Sequence, residues 1–323
     1  MDDTRSDPGA WQAFSTVVSP RRWMRHLTWR RAMVVFAVLL VVGWAAAPAA
    51  RAVSLIANVS PRPAPVASRA GLPVSPVRFT ATDGIALSGW FALASSNAPT
   101  IILVHGSRGS RVDMLPWARF LYAAGYNVLL YDSRGCGQSQ GWSIALGARE
   151  AADVLGAVRY LRSRPDLTLK RFGALGVSLG AGEVLLAAAR AQALGAVVAD
   201  SAWADQQVLI ARMGTVSFGH FAVPVLPYGP ALVDALIGAR LADARPIAVI
   251  GQIAPRAVLL IHSADDHNTT TPLSGEQALF AAAGQPKAQW IAPSGGHVGA
   301  LDAHPADYER VVLAFFAAHL GTP

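Results

Sequence analysis

Apolar positions along the chain follow two alternating patterns. Short runs of β-favouring residues, closed by glycine or polar residues, alternate with longer stretches whose apolar positions recur every three or four residues. The short runs are Val77–Thr82, Ile85–Phe91, Thr100–Val104, Asn127–Tyr131, Phe172–Val177, Ala196–Ala199, Ala257–Ile261 and Ala288–Ile291. Most have apolar residues on both faces, as strands of a parallel sheet covered on both sides require. The first two are joined by Asp83-Gly84, a pair suited to the positive φ of a hairpin turn. Between the strands, Val112–Ala124, Leu146–Arg162, Leu179–Ala191, Ser274–Ala283 and Pro305–Leu320 have helical spacing. The rhythm predicts an α/β, doubly wound, mostly parallel sheet of eight strands that opens with an antiparallel hairpin, spanning about residues 76–321.

Residues 203–255 break the rhythm with Pro224, Pro227, Pro230 and Pro246, the aromatics Phe218, Phe221 and Tyr228, and a short helical piece at Ala231–Ile237. A long insertion at the carboxyl edge of such a sheet lies where these folds bind ligands, so it is expected to form a small cap.

A third pattern precedes the domain. Residues 32–50 are apolar and free of charge, long enough to cross a bilayer as a helix. The positive-inside rule places the preceding segment 1–31, which carries six arginines, in the cytoplasm. The expectation is a single-pass signal anchor that holds the rest of the chain on the outer, periplasmic side. The small-x-small sites Ala47-Pro48-Ala49 and Ala50-Arg51-Ala52 leave a cleaved, secreted form as the alternative. Residues 51–75, with Pro61, Pro63, Pro65 and Pro73, read as an extended linker.

Composition and charge sharpen this picture. Of 323 residues, 53% are hydrophobic and 15% charged, which excludes a disordered chain. The formal net charge of +7 would invite a nucleic-acid reading, but residues 1–51 hold seven arginines against three aspartates. More than half of the excess therefore orients the membrane segment, and no nucleic-acid partner is expected. A single cysteine, Cys136, excludes an intrachain disulfide and a cysteine-rich zinc module. Alanine-rich, arginine-over-lysine usage fits a bacterial source.

The candidate chemistry begins at Gly176-Val177-Ser178-Leu179-Gly180, between a strand and a helix. A serine on such a turn is held in a strained backbone with its hydroxyl above the sheet, and flanking glycines remove clashes. A serine nucleophile needs a base and a group that orients the base. His297, on the glycine-rich loop Ser294–Gly299 after the last strand, is the expected base; His262, His267 and His304 occupy less suitable places. The acid should follow the preceding core strand, where Asp265 and Asp266 adjoin. Asp266 is the favoured acid and Asp265 the turn residue. The order Ser178, Asp266, His297, each at a strand end, predicts activity that rises with pH as the base loses its proton. No metal or organic cofactor is called for.

With these motifs the chain resembles an α/β-hydrolase of the serine-nucleophile type, in its esterase or serine-peptidase-like branch, over about residues 76–320. Leu103-Val104-His105-Gly106-Ser107 is similar to the family's His-Gly loop, and Asp132-Ser133-Arg134-Gly135-Cys136-Gly137-Gln138-Ser139 to its Asp-x-Arg-Gly-x-Gly-x-Ser turn. The resemblance implies an oxyanion hole built from the backbone amides of Leu179 and of Ser107 or Gly106. It also implies a structural role for Arg134, which ties loops together. The expected function is a membrane-anchored serine hydrolase acting on a small-molecule acyl or peptide substrate (ester, thioester or peptide bond) through an acyl-enzyme. An acyltransferase on the same residues, or a non-catalytic binding protein of the same fold, are the alternatives. Oligomeric state is left open.

Overall fold

The computed structural model describes residues 29–58, 70–206, 215–218, 220–224 and 228–323. The chain divides into two compact units, Met1–Ala46 and Ala47–Pro323. Helix α1, Trp29–Ile56, begins in the first and ends in the second. In the first unit its apolar side chains, among them Val34, Phe36, Leu39 and Leu40, are exposed. Among the described residues, α1 is the one helix long and apolar enough to cross a membrane. Residues 1–28, with most of the basic cluster, lie outside the described residues.

The second unit holds an eight-stranded sheet. Its strands are β1 (Ser75–Thr80), β2 (Ala86–Ala92), β3 (Thr100–Val104), β4 (Asn127–Tyr131), β5 (Phe172–Val177), β6 (Leu194–Asp200), β9 (Ala257–Ser263) and β10 (Lys287–Ala292). They lie in the order β1-β2-β4-β3-β5-β6-β9-β10, antiparallel only where β2 meets β1 and β4. The central strands β3, β4 and β5 are buried at every position, as their unbroken apolar runs demand. Helices α2 (Leu115–Ala123) and α7 (Pro305–Leu320) cover one face; α3 (Ala151–Ser163), α4 (Leu179–Ala188) and α6 (Leu273–Ala282) cover the other. Each fully buried aliphatic side chain in these layers contributes about 1.5–3 kcal/mol.

The strand order reverses about β3. The chain goes from β3 to β4 on one side, then crosses to β5 on the other. Loops leaving β3 and β5 therefore diverge and open a crevice at their carboxyl ends, the place where α/β sheets bind ligands.

Two boundaries differ from expectation. The helix expected from Leu146 begins at Ala151. Leu146 has φ 52° and Gly147 φ 90°, and the Glu150 carboxylate accepts the amides of Ala145 and Gly147, so residues 145–150 form a capped turn instead. The segment expected to become linker at residue 51 stays helical through Ile56, because Ala52 and Ile56, one turn apart, are buried in the core. Pro61, Pro63 and Pro65 lie outside the described residues; Ala70 packs on the domain and accepts from the Arg119 guanidinium. Within the 203–255 insertion, the hairpin β7 (Thr215–Phe218) and β8 (Phe221–Pro224) is followed by helix α5 (Gly229–Ile237), whose Val233 and Ile237 join the domain core. Residues 207–214, 219 and 225–227 lie outside the described residues.

Candidate active site

Ser178 stands between β5 and α4 with φ 53° and ψ −115°, a backbone conformation that L-residues rarely adopt. The turn is so tight that a Cβ on Gly180 would come within 2.5 Å of the Val104 carbonyl oxygen and 2.6 Å of that of His105. The Ser178 amide donates to the Asp200 carbonyl oxygen at 2.8 Å, which anchors the strained residue to β6. Helix α4 begins at the next residue, Leu179, so its first-turn amides and positive dipole end lie next to Ser178.

The structure brings the three expected side chains together. His297 Nε2 lies 2.8 Å from Ser178 Oγ, and His297 Nδ1 lies 2.9 Å from Asp266 Oδ2. Asp266 is buried, and its Oδ1 accepts the Asn268 amide at 2.7 Å. Asp265 is exposed and accepts the Gly296 amide at 2.8 Å; that hydrogen bond holds its carboxyl below the usual range. Asp266 meets the imidazole, and Asp265 fastens the loop that carries it. His262 is buried with Nε2 3.5 Å from Asp266 Oδ2, and burial pushes its pKa down.

The loop after β3 approaches from the other side. A Cβ on Gly106 would lie 3.3 Å from Ser178 Cβ, and Ser107 lines the same cavity as Ser178 and Leu179. His105 fixes this loop. Its Nε2 accepts the Ser133 amide at 3.0 Å, so Nδ1 carries the proton and donates to the Gly106 carbonyl at 2.7 Å. Arg134 is held by Asp153 and Asp83, linking the turn after β4 to α3 and to the β1–β2 hairpin. Cys136 is buried, and burial pushes its thiol up to about 12, so it is inert near neutral pH.

Several neighbours of the site were not legible in the sequence. Asp200, at the end of β6, accepts from Ser201 Oγ at 2.9 Å and from the Tyr308 hydroxyl at 2.8 Å, and Tyr308 in turn accepts from Trp117 Nε1. Ser201 Oγ accepts the Val298 amide at 3.2 Å, which ties this row to the His297 loop. Burial pushes the Asp200 carboxyl up to about 6 against those two hydrogen bonds. Trp203 donates to the Leu179 carbonyl at 3.0 Å and packs on Gly182, where a Cβ would meet the indole at 2.1 Å. Only the position of Asp200 and Trp203 just after a core strand could have flagged them.

Beside Ser178 a cavity of about 290 Å³ is lined by Leu55, Leu146, Leu179 and Trp203, with Ser107, Arg108, Gln206, Thr270 and Thr271 supplying polar atoms. Among the described residues no group of three His, Cys, Asp or Glu could hold a metal ion.

Comparison with known proteins agrees with the α/β fold. The sequence model of the X-Pro dipeptidyl-peptidase (S15) family matches residues 30–228. YfhR of Salmonella typhimurium is 31% identical over 248 residues, covering 74% of this chain and 80% of YfhR. Among solved structures, the esterase Pf2001 of Pyrococcus furiosus superposes with a TM-score of 0.64 at 21% identity, over 81% of this chain and all of that one. The acylaminoacyl peptidase of Pyrococcus horikoshii superposes at 0.56 and 20% identity, over 77% of this chain and 42% of its own. At these identities the structural likeness carries the fold.

Proposed function

Because the chain belongs to the X-Pro dipeptidyl-peptidase (S15) family of α/β-hydrolases and is a serine hydrolase, we propose that it is a membrane-anchored esterase with Ser178, His297 and Asp266 as its catalytic residues. The observation that carries this reading is the hydrogen-bonded row from Ser178 Oγ through His297 to Asp266, at 2.8 Å and 2.9 Å, on a strained strand-to-helix turn. His297 removes the Ser178 proton as the hydroxyl attacks an acyl carbonyl. The charge that develops on the carbonyl oxygen falls to the backbone amides of Leu179 and of Ser107 or Gly106; removing one such donor typically costs roughly 3–4 kcal/mol of barrier lowering. Asp266 keeps the proton on Nδ1 and stabilises the imidazolium. The imidazolium then protonates the leaving group, and water, activated by His297, releases the acyl group from Ser178.

An ester or thioester fits better than an N-terminal peptide. A dipeptidyl-peptidase must bind a free ammonium, which calls for a carboxylate at the pocket wall, and the described residues around the cavity include none. The exposed apolar stretch of α1 supports a membrane anchor with the basic N-terminus in the cytoplasm and the domain on the outer side of a bacterial inner membrane. That α1 runs through both small-x-small sites, with Ala52 and Ile56 in the core, supports retention of the segment over cleavage.

Turnover of a fluorogenic acyl ester, followed with and without an added alcohol, tests the assignment. Hydrolysis predicts free acid as the main product at all alcohol concentrations. Predominant transfer to the alcohol would make the protein an acyltransferase, and no turnover of any acyl ester would contradict the esterase reading.

A further inference from the structure

The cavity wall includes a residue that precedes the first strand of the sheet. Leu55 belongs to the last turn of α1 and lines the cavity together with Ser178. The segment around it is built into the site at both ends. Ala52 and Ile56 are buried, the Ile144 amide donates to the Ile56 carbonyl at 2.9 Å, Ala57 bridges to Ser143, and Asn58 Nδ2 donates to the Gly135 carbonyl at 2.8 Å. Ile144 and Ala145 precede Leu146, another wall residue, and Arg108 of the His-Gly loop donates to the Ser54 carbonyl. The two segments that bring Arg108 and Leu146 to the cavity wall are thus both fastened to residues 54–58.

Leu55 is nine residues beyond Ala46, the end of the unit whose apolar side chains are exposed. The cavity, at about 290 Å³, is at the lower edge of small-molecule sites, so it takes an acyl group and leaves the rest of a larger amphiphile outside. Its wall around the serine is mainly apolar, which suits a hydrocarbon chain.

We propose that the substrate is an acyl ester of a membrane-resident amphiphile, whose acyl group enters the cavity against Leu55. The proposal rests on the reading of Ser178 as nucleophile and of α1 as an anchor. Leu55 then sets acyl-chain preference, and the bilayer supplies the substrate.

The full-length protein is reconstituted in phosphatidylcholine vesicles and treated with a fluorophosphonate. Failure of Ser178 to label refutes the hydrolase reading itself, and the proposal with it. With labelling established, a dialkyl lipid bearing a fluorogenic acyl ester is placed either in the protein's own vesicles or in a separate population. Turnover at least about tenfold faster in shared vesicles is expected; equal rates would overturn a bilayer-borne substrate while leaving the esterase reading intact. For the wall, the ratio of kcat/KM for decanoyl over acetyl esters is compared between wild type and Leu55→Trp. A fall of about tenfold is expected, since single methylene-sized changes in apolar pockets are worth about that or more. Leu55→Ala, which removes contacts without adding bulk, should lower the same ratio. A ratio unmoved by either substitution would overturn the assignment of Leu55.

Discussion

Asp265 and Asp266 adjoin in sequence yet meet different surroundings: one is exposed against a backbone amide, the other buried against an imidazole. Asp266→Asn should lower kcat/KM by roughly 10⁴-fold, because an amide cannot hold the proton on His297 Nδ1. Asp265→Asn should cost less than about tenfold, since the amide oxygen of asparagine can still accept the Gly296 amide. Steady-state kinetics on one ester separates the two, and a larger loss at Asp265 would reverse the assignment. Asp200 carries a second prediction. Its carboxyl is raised from 3.8 to about 6 in the folded protein, chiefly by burial, so folding favours its protonated form. This contribution is fully present below about pH 4 and is lost as pH rises through about 6, on the order of 3 kcal/mol in all. Thermal melts should therefore show wild type losing ground to Asp200→Asn between pH 4 and 7. A difference independent of pH would contradict it.

The elements show what patterning can and cannot reveal. The central strands β3, β4 and β5 could be read from apolar runs, because a strand buried on both faces has to be apolar throughout. The elbow serine and the His297 loop were readable for a related reason: backbone strain demands glycine, and glycine is visible. Helix starts were less legible. Leu146 fits the helical period of α3, yet a side-chain carboxylate three to five residues on captures the amides first. The Asp200–Tyr308–Trp117 row joins residues far apart in sequence, and no local pattern marks such a meeting. Arg134 shows the energetic weight of long-range ties. It joins the β1–β2 turn to α3, and its partner Asp153 is wholly buried. Arg134→Ala leaves that carboxylate without its cation, so denaturant melts should show a loss of about 3–5 kcal/mol. A loss under about 1 kcal/mol would mean that the pair is not holding these elements together.

The larger unit begins at Ala47, within helix α1, which is long and apolar enough to cross a membrane. The positive charge that might have suggested nucleic acid lies largely at the start of the chain, next to the apolar segment. The end of α1, expected as the start of a spacer, instead packs into the domain and reaches the cavity beside the serine. That difference arises because two small or branched apolar residues one turn apart, Ala52 and Ile56, are sufficient to dock a helix, whereas the surrounding composition reads as linker. At the other side of the cavity, strand order, strained turn and hydrogen-bonded side chains converge on one hydroxyl. The central claim, that Ser178 is the nucleophile, is tested most directly by labelling the folded full-length protein with a fluorophosphonate. Wild type should acquire one adduct, on Ser178, and Ser178→Ala should acquire none. Unlabelled wild type, or equal labelling of the variant, would contradict the claim.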